Sequence, residues 1–222
     1  MKKLLITIDG PAGAGKTTVS RRLAEALGYA YVDTGALYRG VAYAARQQGI
    51  GPEDDKALAH LCAALRLEVH PTTAGSRLYA DGVDISDSIR SPEMSMMASA
   101  VSARPVVREA LLSIQRRLGA KKNAVFEGRD MGTVVFPEAD IKFFLTAEIA
   151  VRARRRYREL AGAADQDLEA VTADMARRDE NDAARDVAPL KPAADALIID
   201  SGELSVEGVV EEMIKVVAAR RQ

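Results

Sequence analysis

Gly10-Pro11-Ala12-Gly13-Ala14-Gly15-Lys16-Thr17 is the stretch that decides the fold. It meets the spacing G-x-x-x-x-G-K-[ST] at every fixed position. Before it, Lys3 to Ile8 is a short apolar run that reads as a buried strand; after it, Thr18 to Leu27 reads as a helix stopped by Gly28. Between strand and helix, the glycines let the backbone curl so that several N–H groups face one anion. The helix N-terminus adds partial positive charge at the same point. Gly10 to Thr18 are therefore the expected phosphate-binding residues, the ATP site if the donor is ATP. Lys16 can reach the outer phosphates, and the Thr17 hydroxyl can hold Mg²⁺.

Moving outward, extended and helical patterns alternate. Tyr29 to Val32 is a second strand. Thr34 is the expected N-cap of a helix over Ala36–Gln48, and Pro52 opens another that runs to about Leu65. Arg66–Val69 and Arg77–Ala80, with Asp81-Gly82 ahead of Val83, form an antiparallel insert over about Leu65–Ser91. Helices follow over Pro92–Ser102 and Pro105–Leu118, broken at Arg104-Pro105. Strands then recur at Ala124–Phe126, Ile141–Leu145 and Ala196–Asp200, with helices over Glu148–Leu160, Leu168–Ala184 and Val206–Arg220. Ala161–Asp165 reads as a mobile loop. Five buried strands joined by helices predict an α/β fold with a parallel, doubly wound sheet.

Composition agrees with an enzyme. The 222 residues are 48% hydrophobic and 28% charged, a globular balance. A net charge of -1 gives no basic field for nucleic acid or a membrane surface. Cys62 is the sole cysteine, so no internal disulfide forms and a reducing cytoplasm is expected. Met1-Lys2-Lys3 opens like a signal peptide, but the apolar run behind it is too short. No window is long enough for a membrane span. His60 and His70 read as structural or surface residues without partner acids, and the seven methionines as core filler.

Several charged groups have two readings. Glu127-Gly128-Arg129-Asp130 follows a buried strand at the edge where open α/β sheets bind ligands. There Glu127 is a Walker-B-like acid that would orient Mg²⁺ through water; an ordinary turn with a surface ion pair is an equal rival. Arg152, Arg154, Arg155, Arg156 and Arg158 form a basic run. It reads as a solvated face or nucleic-acid patch, or, favoured here, as a lid closing on a triphosphate. Arg178, Asp182 and Arg185 share a helix face, for which a salt-bridge ladder is the commoner use. Thr34 and Arg39 lie near the phosphate loop, where an arginine suits an acceptor phosphate; a cap and a surface arginine explain them equally well.

The chain resembles the bacterial cytidylate kinases over nearly its whole length. The resemblance rests on Ile8 to Lys16, Asp33-Thr34-Gly35-Ala36-Leu37-Tyr38-Arg39, Gly128 to Pro137, Val187-Ala188-Pro189-Leu190 and Ala193 to Ala196. It implies a three-layer P-loop kinase fold, five parallel strands with a small antiparallel insert, in one domain. Core segments would be 1–34, 119–150 and 186–222, with an acceptor region at about 35–118 and a lid at about 151–185. It implies transfer of a phosphoryl group from ATP, with Mg²⁺, to CMP or dCMP by a cytoplasmic monomer. Arg39 and Arg129 would hold the acceptor phosphate, and Ser99, Arg108 and Arg185 the cytosine edge. Arg178 and Asp182 would contact the sugar while Asp130 organises the arginines. Lys16, Arg129, Asp130, Arg155 and Arg156 would form the catalytic set. Many members have glycine at the position of Thr17, and some have aspartate at that of Glu127. A kinase of another small acceptor, such as shikimate, is the nearer alternative. A GTPase-type switch would need N-K-x-D and D-x-x-G, and neither occurs.

Overall fold

The computed structural model describes residues 2–72, 75–160 and 167–221. The phosphate loop joins β1 (Leu5–Asp9) to α1 (Lys16–Leu27). Every residue of β1 is buried, Thr7 and Asp9 included, and Gly28 ends α1 in a left-handed conformation. The remaining core strands are β2 (Ala30–Asp33), β6 (Ala124–Glu127), β7 (Ile141–Thr146) and β8 (Leu197–Asp200). They pair in parallel in the order β2-β6-β1-β7-β8. β1 is thus central, and the register sets Ile8 beside Glu127 and Asp33 beside Glu127. The carboxyl ends of these strands share one edge with the loop.

Helices cover both faces. On one, α1 and α8 (Val206–Arg221) bury Val19, Leu23, Val209 and Met213 against Ile6, Ile8, Phe143 and Leu145. On the other, α5 (Pro105–Gly119) and a π-helical turn over Met131–Val135 pack on Leu5, Val32 and Phe126. A second apolar cluster unites α2 (Thr34–Gln47), α3 (Asp55–Ala64), α4 (Pro92–Ser102) and α5 with the antiparallel insert. That insert is β3 (Leu67–Thr72), β4 (Gly75–Ala80) and β5 (Val83–Asp84). α6 (Ile149–Leu160) and α7 (Leu168–Ala183) pack beside the loop around Ala153, Val171 and Met175.

Local differences from the sequence expectations have physical causes. Asp33, not Thr34, caps α2: its carboxylate accepts from Ala36 N at 3.1 Å, a stronger acceptor than a hydroxyl. Asp54 likewise caps α3 past Pro52, accepting from Ala57 N at 2.9 Å. The loop expected at Ala161–Asp165 lies outside the described residues. His70 has an acid partner after all, Glu68 at 3.0 Å on the exposed hairpin.

Candidate active site

The phosphate loop is shaped by close approach. Gly10 has φ 146, and a Cβ there would meet the Leu145 carbonyl oxygen at 2.0 Å. Gly15 has φ 86 at the start of α1. Only glycine takes these backbone angles freely. Lys16 folds back so that its Nζ donates to the Pro11 carbonyl at 2.6 Å. Burial, reinforced by the positive charge of Arg129, holds its pKa well below the ordinary lysine range, against the pull of Glu127 and Asp9. Ala12, Gly13, Gly15, Lys16, Thr17 and Thr18 line a cleft of about 440 Å³. Gly10, Pro11 and Ala14 shape the loop from outside that lining.

Glu127 stands at the end of β6, facing the loop. Its Oε1 accepts from the Thr17 hydroxyl at 2.8 Å, and its Oε2 is buried without a partner among the described residues. Burial, with Asp33 nearby, pushes its carboxyl well above the usual range, while Lys16 and Thr17 oppose the shift. The Tyr31 phenol is also raised, by burial and then by Glu127's charge, although neither its hydroxyl nor Glu127 Oε2 meets hydrogen-bond geometry. A hydroxyl and an orphaned carboxylate oxygen fit a hard cation that keeps waters and takes its other oxygens from phosphate.

The opposite wall is built from side chains of separate elements. Asp182 on α7 is its hub. Its Oδ1 accepts from the Ser99 hydroxyl at 2.9 Å and from Arg185 Nη2, and its Oδ2 accepts from Arg129 Nε at 2.9 Å. Burial would raise this acid, but the charges of Arg129, Arg185 and Arg178 outweigh burial and hold it below its ordinary range. Arg108 donates to Asp130, its guanidinium 5.8 Å from the Tyr38 ring centre. Burial raises Asp130 while Arg108 opposes. The Thr34 hydroxyl donates to the Glu127 carbonyl at 2.6 Å, and Arg39 pairs with Asp33 at 2.7 Å on the cleft rim. Arg178 is not a rung of a ladder. Its Nε is buried and unpartnered among the described residues, and burial followed by the charge of Arg129 lowers its pKa to about 10. A buried, incompletely bonded guanidinium beside other arginines is set for an anion.

The basic run on α6 divides. Arg156 lines the cleft and pairs with Glu159 at 3.0 Å. Arg155 is turned away, donating to the Ser201 carbonyl at 2.6 Å and the Ser201 hydroxyl at 3.1 Å. That hydroxyl lies 3.0 Å from the Ala14 carbonyl, so Arg155 braces the loop from behind. Three residues, Asp9, Asp179 and Arg90, escaped the sequence reading as site residues, and Arg152 was read only as part of the basic run. Asp9 accepts from Met131 N at 2.9 Å and Gly132 N at 2.8 Å, and burial raises its pKa to about 6 against those two bonds. An acid ending an apolar strand was the available signal. Arg152 and Asp179 grip Ala12 from α6 and α7, and no spacing announces such a contact between helices. Arg90 also reaches the cleft.

A strand–glycine loop–helix unit with a buried lysine, facing an arginine-rich wall at the same sheet edge, defines a P-loop kinase. A family model described as cytidylate kinase matches residues 6–219. A cytidylate kinase of Geobacter sulfurreducens is 48% identical over 220 residues, covering 99% of this chain and 94% of that relative. One from Exiguobacterium sp. is 43% identical over 217 residues, covering 97% of each. The chain belongs to the cytidylate kinase family and is a nucleoside monophosphate kinase. Among solved structures, shikimate kinase from Acinetobacter baumannii superposes with TM-score 0.50 at 16% identity over 98% of this chain and 94% of the other. Shikimate kinase from Bacteroides thetaiotaomicron gives TM-score 0.51 at 15% identity over 98% and 99%. These two likenesses concern the fold alone. No helix among the described residues is long and apolar enough to cross a membrane.

Proposed function

We propose that this protein transfers the γ-phosphoryl group of ATP to CMP or dCMP, giving CDP or dCDP and ADP, as a cytoplasmic monomer acting on free nucleotides. The observation that carries the reading is the Asp182 hub, which gathers Ser99, Arg129 and Arg185 opposite Lys16. Residues 1–34, 119–150 and 186–222 form the core, about 35–118 the monophosphate-binding region and about 151–185 the lid region, which also supplies Arg178, Asp182 and Arg185 to the acceptor.

ATP's phosphates lie on the amides of the loop, and the bound anion favours the charged form of Lys16. Thr17 and Glu127 would hold Mg²⁺, which when bound draws charge from the donor phosphates. Arg39 and Arg129 hold the acceptor phosphate. Ser99, Arg108 and Arg185 read the cytosine edge, and Arg178 and Asp182 meet the sugar. An acceptor phosphate oxygen attacks the γ-phosphorus, and the bond to the bridging oxygen breaks as ADP leaves. The acceptor is already an anion, so no strong general base is required. Lys16, Arg129 and Arg156 neutralise developing charge, Asp130 fixes Arg108, and Arg155 braces the loop.

The test is initial ADP release with CMP, dCMP, UMP, AMP and GMP at equal concentration. Uracil exchanges donor and acceptor character at N3 and C4, and an unmatched buried polar group costs about 1–3 kcal/mol. CMP and dCMP should therefore exceed UMP by roughly ten- to a hundredfold, with AMP and GMP nearly inert. Equal rates with CMP and UMP would reject the cytosine-specific reading, and AMP above CMP would remove the cytidylate assignment.

A further inference from the structure

The α6–α7 pair hydrogen-bonds the phosphate loop at Ala12. Arg152 Nη1 donates to the Ala12 carbonyl at 3.0 Å, and the Ala12 N–H donates to Asp179 Oδ1 at 3.3 Å. Asp179 Oδ2 accepts from the same Arg152 Nη1, which closes the contact into a ring. Arg152 is fixed in turn by its Nε, which donates to the Ala147 carbonyl at 2.8 Å. Both side chains are largely buried, 9% and 18% exposed, so the pair is little screened. The next loop residue lies flat on the same helices: a Cβ on Gly13 would come within 2.7 Å of Met175 Cε and 3.0 Å of Arg152 Cβ. Both backbone polar groups of Ala12 are thus held by protein, one residue from the glycine that must face the donor.

Asp179 and Asp182 lie three residues apart on α7, within one helical turn. Asp179 touches the donor loop and Asp182 is the hub of the acceptor wall. A helical turn does not stretch, so a shift of α7 when the acceptor engages Asp182 is carried to Ala12. We infer that Arg152 and Asp179 are positioning residues that hold the phosphate loop in its anion-binding shape and, through α7, tie occupancy of the donor site to that of the acceptor. The inference rests on the proposed ATP and CMP sites. It adds a device that neither nucleotide's direct contacts supply, and the coupling it creates is reciprocal.

The test is calorimetric titration of the full chain with a non-hydrolysable ATP analogue plus Mg²⁺, with CMP, and with each in the presence of the other. In the unmodified protein CMP should tighten the analogue by about fivefold or more. In Asp179→Asn, whose amide cannot accept from both donors, the analogue alone should weaken roughly tenfold and the tightening by CMP should fall toward one. CMP alone should stay within about twofold of the unmodified protein, because no acceptor contact is removed. A folded variant that keeps both analogue affinity and coupling overturns the inference. So does a loss of CMP affinity matching that of the analogue, which would make Asp179 a support of the acceptor wall. Arg152→Lys keeps the charge but cannot reach Ala147 and Ala12 together, and it decides the matter if Asp179→Asn does not fold. If the unmodified protein binds no CMP, the acceptor assignment fails, while the analogue titrations still judge the hold on the loop.

Discussion

On the proposed assignment, the two walls of the cleft recognise their ligands by opposite means. The donor wall is a run of backbone amides from one contiguous loop, with Lys16 buried at the head of its helix. The acceptor wall is all side chains, from α2, α4, α5, the turn after β6, and α7, drawn together by Asp182 and Asp130. Backbone donors are indifferent to side-chain identity, so the donor wall reads charge and shape. The acceptor wall has buried groups with fixed donor and acceptor character, and any of them left unmatched is costly. On the proposed assignment, one wall supplies affinity for phosphate in general and the other selects a particular nucleotide.

The strongest way to break this contrast is Lys16→Ala. If charge rather than side-chain fit runs the donor wall, turnover should fall on the order of a thousandfold. Thermal stability should hold or rise, since a cation disfavoured by burial has been removed. Stopped-flow turnover and a melting curve suffice, and near-normal turnover would remove Lys16 from the chemistry. The next largest effect belongs to Asp182→Asn. An amide cannot accept from Ser99, Arg129 and Arg185 together, so the KM for CMP should rise by roughly ten- to a hundredfold. With CMP saturating, the KM for ATP should change far less. A KM for ATP that rises as much as that for CMP would show that the two walls are not separable.

The same contrast explains what could be read from the chain alone. The donor wall is contiguous, so its loop, strand and helix stand in register in the sequence and predict both the fold and the role of Lys16. The parallel core was legible at its centre, where β1, β6 and β7 are buried on both faces and read as apolar runs. The edge strands β2 and β8, expected to be buried, are only partly so, because each has a neighbour on one side. The acceptor wall is not contiguous. Ser99 and Asp182 are 83 residues apart, Arg129 and Asp182 53 apart, and no periodicity links them. Resemblance named those residues, but spacing favoured a ladder, of which the Asp182–Arg185 pair is present while the unpartnered Nε of Arg178 does not fit. The π-helical turn at Met131–Val135 was also hidden. It depends on two amides accepted by Asp9, more than 120 residues earlier. The basic run on α6 misled because helical sequence does not reveal which arginine faces the cleft and which faces the back of the loop.

The smallest expected effect sharpens the contrast at its seam. Asp9 ends the donor strand and holds the turn that follows Asp130 of the acceptor wall, so it belongs to both. Its carboxyl lies at about 6 in the folded protein against an ordinary 3.8, chiefly through burial. The folded state therefore binds this proton more tightly than the unfolded chain does. Unfolding free energy falls as pH rises from about 4 to about 6 and is then level with respect to this group. Asp9→Asn does not titrate, and its amide accepts only one of the two N–H groups well. It should be less stable than the unmodified protein at pH about 4, and the gap should close, by up to about 3 kcal/mol, as pH approaches 7. Glu127 titrates in both proteins, so to first order it cancels in the comparison. Denaturant unfolding of the pair at several pH values measures the difference. A gap that stays flat from pH about 4 to 7 would show that Asp9 does not titrate in that range, and that the Met131 and Gly132 amides outweigh burial in fixing its charge.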